Sequence, residues 1–214
     1  MRTLKVGFFV LIGLALAGCD LRVGSGGQGD FGVGRMMETI RAARGRNVST
    51  QSEQAPITRA SLNQIPQKLV RVQLTRYGST GFYTQVANRR GNVTYLSPGD
   101  RTITLQNGQL RMTRGLPFDL LETDIRNDSD RVYRYLNVAN ALTELRVSCR
   151  SEVVGVERIE IIERTYSTTL REETCRGGGV AFKNRYWTDR GGVLWKSQQW
   201  IGPSHGFAII EKLN

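Results

Sequence analysis

The clearest folding signal in this sequence of 214 residues is the stretch Thr102-Ile103-Thr104-Leu105-Gln106-Asn107-Gly108-Gln109-Leu110-Arg111-Met112-Thr113. Asn107 and Gly108 are the favoured pair for a two-residue type I′ turn, because both central positions need a positive φ. The flanking residues alternate between apolar and polar, as expected for strands with one buried face. The sequence therefore predicts a β-hairpin with four cross-strand pairs: Gln106 with Gln109, Leu105 with Leu110, Thr104 with Arg111, and Ile103 with Met112.

Further strand signals follow this hairpin in both directions along the chain. Turn residues recur roughly every 8–12 residues with little helical periodicity between them, which is typical of an antiparallel meander. We therefore predict a mainly β domain, closed as a barrel or packed as a sandwich, with one or two short helices. The helical signals lie at Arg35–Arg44 and, as one or two turns, within Leu116–Ile125. The predicted strands lie at Leu69–Leu74, Phe82–Val86, Val93–Leu96, Arg131–Leu136, Leu145–Arg150, Val180–Thr188, Val193–Ile201 and Phe207–Lys212, with two more within Val153–Thr174.

The N-terminus has the pattern of a bacterial lipoprotein signal peptide. Arg2 and Lys5 precede the apolar segment Val6–Leu16, which is too short for a bilayer span of roughly 20 residues. Leu16-Ala17-Gly18-Cys19 resembles a lipobox, in which the peptide is cut before the cysteine and the cysteine is lipidated. The alternative is an ordinary secretory signal peptide with a cysteine nearby. With a lipobox, Cys19 anchors the protein to membrane lipid without a membrane span.

Four segments are expected along the chain. Residues 1–18 form the signal peptide, and residues 19–34 form the lipidated cysteine and a glycine-rich tether. Residues 35–66 are expected to hold a short helix and an extended arm, and residues 67–214 the β domain. Asp20, directly after Cys19, resembles the inner-membrane retention signal of enteric bacteria, so the sequence leaves the choice of membrane open.

Composition excludes several classes of protein. Hydrophobic residues at 39% and charged residues at 23% are incompatible with wholesale disorder. Three cysteines and one histidine leave little material for a zinc or haem site, so no metal or cofactor is expected. Removal of residues 1–18 leaves 28 basic against 19 acidic residues, a net charge of +9. An exported domain does not meet nucleic acid, so we expect an anionic lipid or an acidic glycan as the charged partner.

Cys149 and Cys175 remain once Cys19 is assigned to the lipid anchor. Lipoproteins mature on the oxidising side of the membrane, where disulfides persist. Both residues fall within predicted strands, so we predict a disulfide between them. The alternative is a nucleophilic cysteine with His205 as its base, although no third residue is evident to orient the histidine. His205 lies in a Gly-Pro-Ser-His-Gly turn, where a solvated loop residue is expected.

The last third of the chain contains a distinctive run, Tyr186-Trp187-Thr188-Asp189-Arg190-Gly191-Gly192-Val193-Leu194-Trp195-Lys196-Ser197-Gln198-Gln199-Trp200-Ile201-Gly202-Pro203. With Thr113–Leu116, Arg131–Leu136, Cys149 and Glu173–Cys175, this run resembles the YjbF/GfcB lipoproteins, the group 4 capsule polysaccharide lipoprotein family, over Leu69–Leu213 and the lipobox. The resemblance implies a periplasm-facing lipoprotein, usually at the outer membrane, with a barrel-like β domain. It also implies a role beside other exopolysaccharide or capsule factors, and it implies no catalytic activity. Phe31–Asn63 shows no motif of the family.

The same aromatic run offers a candidate glycan-binding site. A carbohydrate-stacking platform would use Tyr186, Trp187, Trp195 and Trp200, with Lys196 supplying positive charge for an anionic polysaccharide. The alternative is core packing, because aromatic side chains dominate small β cores. Trp195 and Trp200 are five positions apart, so in a regular strand they face opposite sides.

Enzymatic function has weaker support. Glu160, Glu163, Glu172 and Glu173 offer carboxylates for a glycosidase pair, but arginines alternate with them, as on an ion-paired strand face. A calcium site from Asp124, Asp128 and Asp130 lacks the glycine and glutamate of an EF-hand loop. Three functions remain: a non-enzymatic lipoprotein assisting exopolysaccharide or capsule production or secretion, an envelope glycan hydrolase, and a structural lipoprotein docking to a membrane-protein partner. We favour the first, with exopolysaccharide-export proteins as expected partners.

Overall fold

The computed structural model describes residues 57–125, 129–137 and 139–214. Twelve antiparallel strands, one short helix and one 3-10 turn make up this part of the chain. Helix α1 is Arg59–Asn63 and the 3-10 turn is Thr75–Tyr77. The strands are β1 Leu69–Leu74, β2 Ser79–Arg89, β3 Asn92–Leu96, β4 Thr102–Gln106, β5 Gln109–Arg114, β6 Leu120–Ile125, β7 Asp130–Leu136, β8 Leu142–Ile161, β9 Arg164–Gly177, β10 Val180–Thr188, β11 Leu194–Gly202 and β12 Gly206–Lys212.

All twelve strands belong to one sheet in the order β5-β4-β3-β2-β1-β12-β11-β10-β9-β8-β7-β6. Every neighbouring pair is consecutive in sequence except β1 and β12, so the first and last strands meet in the middle of the sheet. The two ends of the sheet, β5 and β6, approach each other and nearly close a barrel. This arrangement confirms the predicted mainly β fold, and it selects the barrel over the sandwich.

The sheet has an apolar cluster on each face. Leu69 and Val70 are neighbours on β1 and both are buried, but they belong to different clusters, so they mark opposite faces. The cluster with Val70 collects residues from strands all around the sheet and therefore fills the barrel. The cluster with Leu69 includes Leu62 of α1, which covers part of the outer face. We call them the inner cluster and the outer cluster.

Arg59 holds α1 against this outer face. Its guanidinium donates hydrogen bonds to the carbonyl oxygens of Ile161 at 2.6 Å, Ile162 at 3.2 Å and Leu213 at 2.6 Å. Its backbone N–H donates to Glu163 Oε2 at 2.9 Å. The sequence analysis placed a helix at Arg35–Arg44, which lies outside the described residues, and an extended arm up to residue 66. A helix at Arg59–Asn63 therefore replaces the end of the expected arm.

The Asn107-Gly108 hairpin forms as predicted at its turn but not along its whole length. Gln106 pairs with Gln109 and Leu105 with Leu110, and both turn residues have positive φ. Beyond them a β-bulge shifts the register, because Arg111 is an extra residue on β5. The predicted pairs of Thr104 with Arg111 and Ile103 with Met112 are therefore wrong. The observed pairs are Thr104 with Met112 and Ile103 with Thr113.

The predicted helical turns within Leu116–Ile125 are also wrong. Asp119 accepts hydrogen bonds from the backbone N–H groups of Gly115 at 2.9 Å and Leu116 at 3.1 Å, and so closes a tight turn. Strand β6 follows, with a register shift between Leu120 and Glu122. The shift places the buried residues Leu120 and Thr123 three positions apart, which imitates helical spacing.

No helix among the described residues is long and apolar enough to cross a membrane.

Candidate functional site

The predicted glycan-binding residues are divided between the two faces of the sheet. Trp200 is 7% exposed and belongs to the inner cluster, where its ring stacks on Phe182 with 4.4 Å between centroids. Trp187 and Trp195 belong to the outer cluster with Tyr166, whose ring centroid lies 4.0 Å from that of Trp195. Trp195 and Trp200 therefore lie on opposite faces, as their spacing predicts.

The outer aromatic residues already have polar partners within the chain. Trp187 Nε1 donates to Glu157 Oε2 at 2.8 Å, and Trp195 Nε1 donates to Asp189 Oδ2 at 2.7 Å. This second hydrogen bond lowers the pKa of Asp189. Lys196 pairs with Glu211 at 3.2 Å and lies 5.5 Å from the ring centroid of Trp187. The five predicted glycan-binding residues therefore form no single exposed platform. Their arrangement agrees with the alternative interpretation, in which the aromatic side chains pack in the core.

A network of polar side chains lies inside the barrel around Glu173. Glu173 is 1% exposed and accepts hydrogen bonds from Arg131 Nη2 at 2.7 Å and Asn184 Nδ2 at 2.8 Å. Asn184 Oδ1 in turn accepts the backbone N–H of Trp200 at 2.8 Å. The Tyr186 hydroxyl lies 3.4 Å from Glu173 Oε2, and burial raises the pKa of this phenol, with the Glu173 charge adding to the effect. The network fixes the register of facing strands rather than opening a reaction site.

The interior leaves little space for a ligand beside this network. The cavity at Thr123 and Glu173 has a volume of about 10 Å³, which is room for one water molecule. Thr123 Oγ1 is buried and has no hydrogen-bond partner in the structure. A cavity of this size is far too small for a substrate.

Glu172 lies next to Glu173 in sequence but faces outward. Its two carboxylate oxygens accept hydrogen bonds from Lys183 at 2.8 Å and Arg185 at 2.7 Å. These two bonds lower the pKa of Glu172, so the carboxylate stays ionised at neutral pH. A glycosidase acid needs the opposite, a carboxyl group with a raised pKa. Glu163 Oε2 accepts the backbone N–H of Arg59, as described above, and Glu160 is exposed.

The two cysteines are direct partners across β8 and β9, and the structure joins them in a disulfide with 4.0 Å between their Cα atoms. The Glu173 carboxylate lies within 4.8 Å of both sulfurs. Bonded to each other, the sulfurs offer no thiolate to a metal or to a substrate.

His205 is not the solvated loop residue that the sequence suggested. Only 1% of it is exposed. Its Nδ1 lies 2.9 Å from the Tyr77 hydroxyl and its Nε2 lies 3.1 Å from the Phe118 carbonyl oxygen. A carbonyl oxygen only accepts, so Nε2 donates to Phe118, and in the neutral ring Nδ1 then accepts from Tyr77. The histidine therefore joins three loops and is no base for a cysteine.

Two surface depressions were missed by sequence reasoning. A cavity of about 440 Å³ lies at the end of the barrel where the β4–β5 and β10–β11 turns meet, and Val70, Leu105, Tyr95 and Lys212 are among its lining residues. A groove of about 670 Å³ lies across β2–β6, and we call it the arginine groove. Its lining residues come from five strands, so no local motif in the sequence reveals it: Ala87, Arg89, Arg90, Asn92, Thr94, Thr104, Arg111, Met112 and Glu122.

Comparisons with known proteins agree with the fold and the family resemblance, but the family match begins before Leu69 and extends into Phe31–Asn63, where no family motif was recognised in the sequence. A sequence model of the family described as group 4 capsule polysaccharide lipoprotein gfcB, YjbF matches residues 38–213. The fold is similar to the crystal structure of the hypothetical lipoprotein YmcC from Escherichia coli K12, with a TM-score of 0.68. That likeness covers 84% of this chain and 95% of the other at 18% identity, so it bears on the fold alone. No curated protein matches the sequence.

Proposed function

This chain belongs to the group 4 capsule polysaccharide lipoprotein family, and we propose that it is a non-enzymatic envelope lipoprotein that assists exopolysaccharide or capsule production or secretion. The proposal that the protein is not an enzyme rests on the hydrogen bonds of the candidate catalytic carboxylates. Glu172 is held by Lys183 and Arg185, and Glu173 by Arg131 and Asn184. The lowered pKa of Glu172 argues against a role as an acid, and Glu173 is enclosed inside the barrel, away from any substrate on the surface.

The proposed place of action is the periplasmic side of the cell envelope. Cys19 would carry the acyl chains, and residues 20–34 would tether the β domain to the membrane. The outer membrane is the preferred location, with Asp20 as the feature that argues for the inner membrane. Proposed partners are an anionic polysaccharide and proteins of exopolysaccharide export.

A clean deletion tests the role in export. We expect less exported polysaccharide in the deletion strain, restored by the wild-type gene and not by the Cys19→Ser variant. Unchanged export in the deletion strain would contradict the proposed function.

A hydrolysis assay tests the absence of catalysis. The full-length protein in detergent is incubated with the organism's own exopolysaccharide, and reducing ends are measured. We expect none. Release of reducing ends that is lost in Glu172→Gln or Glu173→Gln would show an enzyme instead.

A further inference from the structure

The arginine groove brings three arginine side chains, Arg89, Arg90 and Arg111, to one surface depression. Arg71, Arg134, Arg146 and Arg185 all pair with glutamates in the described part of the chain. Arg89, Arg90 and Arg111 form no ion pair within the described residues, and neither do the exposed Arg150, Arg158 and Arg176. The groove is distinctive because three such guanidinium groups line one depression. One carboxylate lines the groove, that of Glu122, and it is bonded to Arg134 Nη1 at 2.5 Å. The groove therefore holds three guanidinium groups whose charge is uncompensated.

Arg90 occupies a backbone position that suits arginine poorly. It has φ 51° in the β2–β3 turn and precedes Gly91 with φ 79°. Asn107 and Gly108 have φ 51° and 77° in the neighbouring β4–β5 turn, so the two turns share one geometry. Asparagine tolerates this left-handed conformation, whereas other side chains disfavour it. An arginine at this position makes the turn less stable than an asparagine would, but it places a positive charge at the end of the groove.

Arg111 reaches the groove through the β-bulge on β5. Its neighbour Leu110 is buried in the inner cluster, and Thr113 is also buried. Residues three positions apart face opposite sides of a regular strand, so Leu110 and Thr113 can both face inward only because of the bulge between them. The two residues between them, Arg111 and Met112, line the groove. Bulges commonly redirect a side chain in this way.

The polar residues between the arginines suit a sugar chain. Asn92, Thr94 and Thr104 line the groove, and their amide and hydroxyl groups both donate and accept hydrogen bonds. Ala87 and Met112 are the apolar side chains among the lining residues, and the other seven lining residues are polar or charged. Guanidinium groups bind carboxylates and phosphates in two-pronged hydrogen bonds.

We propose that the arginine groove binds an acidic polysaccharide chain, with Arg89, Arg90 and Arg111 pairing its anionic groups. The biological meaning of the site rests on the proposed function, whereas the binding itself does not. The site is separate from the aromatic run, to which the sequence analysis assigned glycan binding.

The binding test uses full-length protein in detergent and polygalacturonate as the acidic chain, with dextran as the neutral chain. The groove variant is Arg89→Gln, Arg90→Asn, Arg111→Gln. The control variant is Arg150→Gln, Arg158→Gln, Arg176→Gln, which removes the same charge from exposed arginines outside the groove. We expect the groove variant to raise the Kd for polygalacturonate at least about tenfold and the control variant less than about twofold. Equal Kd values for the two variants, or equal binding of dextran, would overturn the proposal.

Arg90→Asn alone separates binding from folding. Asparagine fits the turn at this position, so we expect an unchanged or higher melting temperature together with weaker polygalacturonate binding. Unaltered binding by this folded variant would remove Arg90 from the site. Phosphatidylglycerol vesicles test an anionic lipid as the ligand instead. Vesicle binding that is lost in the groove variant, without any binding of polygalacturonate, would contradict a glycan site.

Complementation distinguishes this proposal from the proposed function. We expect the groove variant to restore export in a deletion strain less well than the control variant. Full restoration by the groove variant would leave the export role intact and would refute the groove as its polysaccharide site. Absence of any deletion phenotype would refute the export role, whatever the groove binds in solution.

Discussion

Arg131 and Glu173 form an ion pair inside the barrel, with 2.7 Å between Nη2 and Oε1, and both side chains are almost fully buried. Removal of one partner leaves a charge that water cannot solvate, so Glu173→Ala is expected to lower the free energy of unfolding by about 3–5 kcal/mol. Glu173→Gln keeps a hydrogen-bonding group and should cost less. Urea denaturation of both variants gives the numbers, and Glu160→Ala, at an exposed position, is the control with an expected change within about 0.5 kcal/mol. Equal stability of Glu173→Ala and the control would show that the pair is not buried as described.

Glu172 should contribute stability that depends on pH. Its pKa is lowered in the folded protein by hydrogen bonds from Lys183 and Arg185, below the ordinary value of 4.5. A group with a lowered folded-state pKa stabilises the fold above its unfolded pKa, and the contribution is lost as the pH falls through the folded pKa. The stability difference between wild type and Glu172→Gln should therefore be full at pH 7 and should shrink below about pH 4.5. A Lys183→Met, Arg185→Met variant removes the two hydrogen bonds that lower the pKa of Glu172. In that background the stability effect of Glu172→Gln should depend little on pH. An effect of Glu172→Gln that grows towards low pH in the wild-type background would contradict the lowered pKa.

The disulfide between Cys149 and Cys175 should be present in the exported protein. The bonded residues are 26 positions apart, and closing a loop of that size contributes about 3 kcal/mol in the chain-entropy model. Loss of the bond in Cys149→Ala, Cys175→Ala should lower the melting temperature, and reductant should then have no further effect. In a Cys19→Ser background these are the only two cysteines, so maleimide labelling of the denatured, unreduced protein counts free thiols directly. Labelling of both would refute the bond.

Cys19→Ser should abolish membrane attachment. The prediction rests on the resemblance of residues 16–19 to a lipobox, because a serine hydroxyl would not receive the lipid that the cysteine sulfur of a lipobox receives. Palmitate labelling and carbonate-resistant membrane association are the measurements, and Cys149→Ala, Cys175→Ala is the control that should keep both. Labelling that survives in Cys19→Ser would show a different anchor.

His205 should matter for stability rather than for chemistry. His205→Ala leaves the Phe118 carbonyl and the Tyr77 hydroxyl without this partner, and it is expected to cost about 2–3 kcal/mol. Tyr77→Phe removes one hydrogen bond at a half-exposed side chain and should cost about 0.5–1 kcal/mol. Thermal denaturation compares the two variants, and a larger loss in Tyr77→Phe would reverse the roles that we assign.

Much of the fold is predictable because strands are local in sequence. The turn at Asn107-Gly108 and the alternation beside it are sufficient to predict a hairpin. Residues 153–174 do fall in two strands, but the first of these, β8, is continuous with the strand predicted separately at Leu145–Arg150. The errors arise at bulges. An extra residue at Arg111 changes the pairing beyond it, and the shift between Leu120 and Glu122 gives a strand the spacing of a helix. A bulge depends on what the neighbouring strands need, which the local sequence does not contain.

The candidate sites show the same limit. An aromatic run is visible in sequence, but whether Trp187 or Trp200 is exposed depends on α1 and on facing strands. His205 sits among turn-forming residues and is nevertheless buried, because Tyr77 and Phe118 reach it from distant loops. The arginine groove combines five strands, and the one local hint was an arginine beside glycine where asparagine would be expected in a tight turn.

The pairing of β1 with β12 has a consequence for the order in which the protein can be completed. Leu69 N–H donates to the Asn214 side chain at 2.8 Å, and Asn214 Nδ2 donates to the carbonyl oxygens of Ile65 and Gln67. The central ladder of the sheet therefore joins two strands from opposite ends of the described residues. Sheets that pair strands distant in sequence fold slowly, because the entropy of closing a long loop is lost before the contacts between the strands form. The barrel therefore stays incomplete until β12 is available to pair with β1.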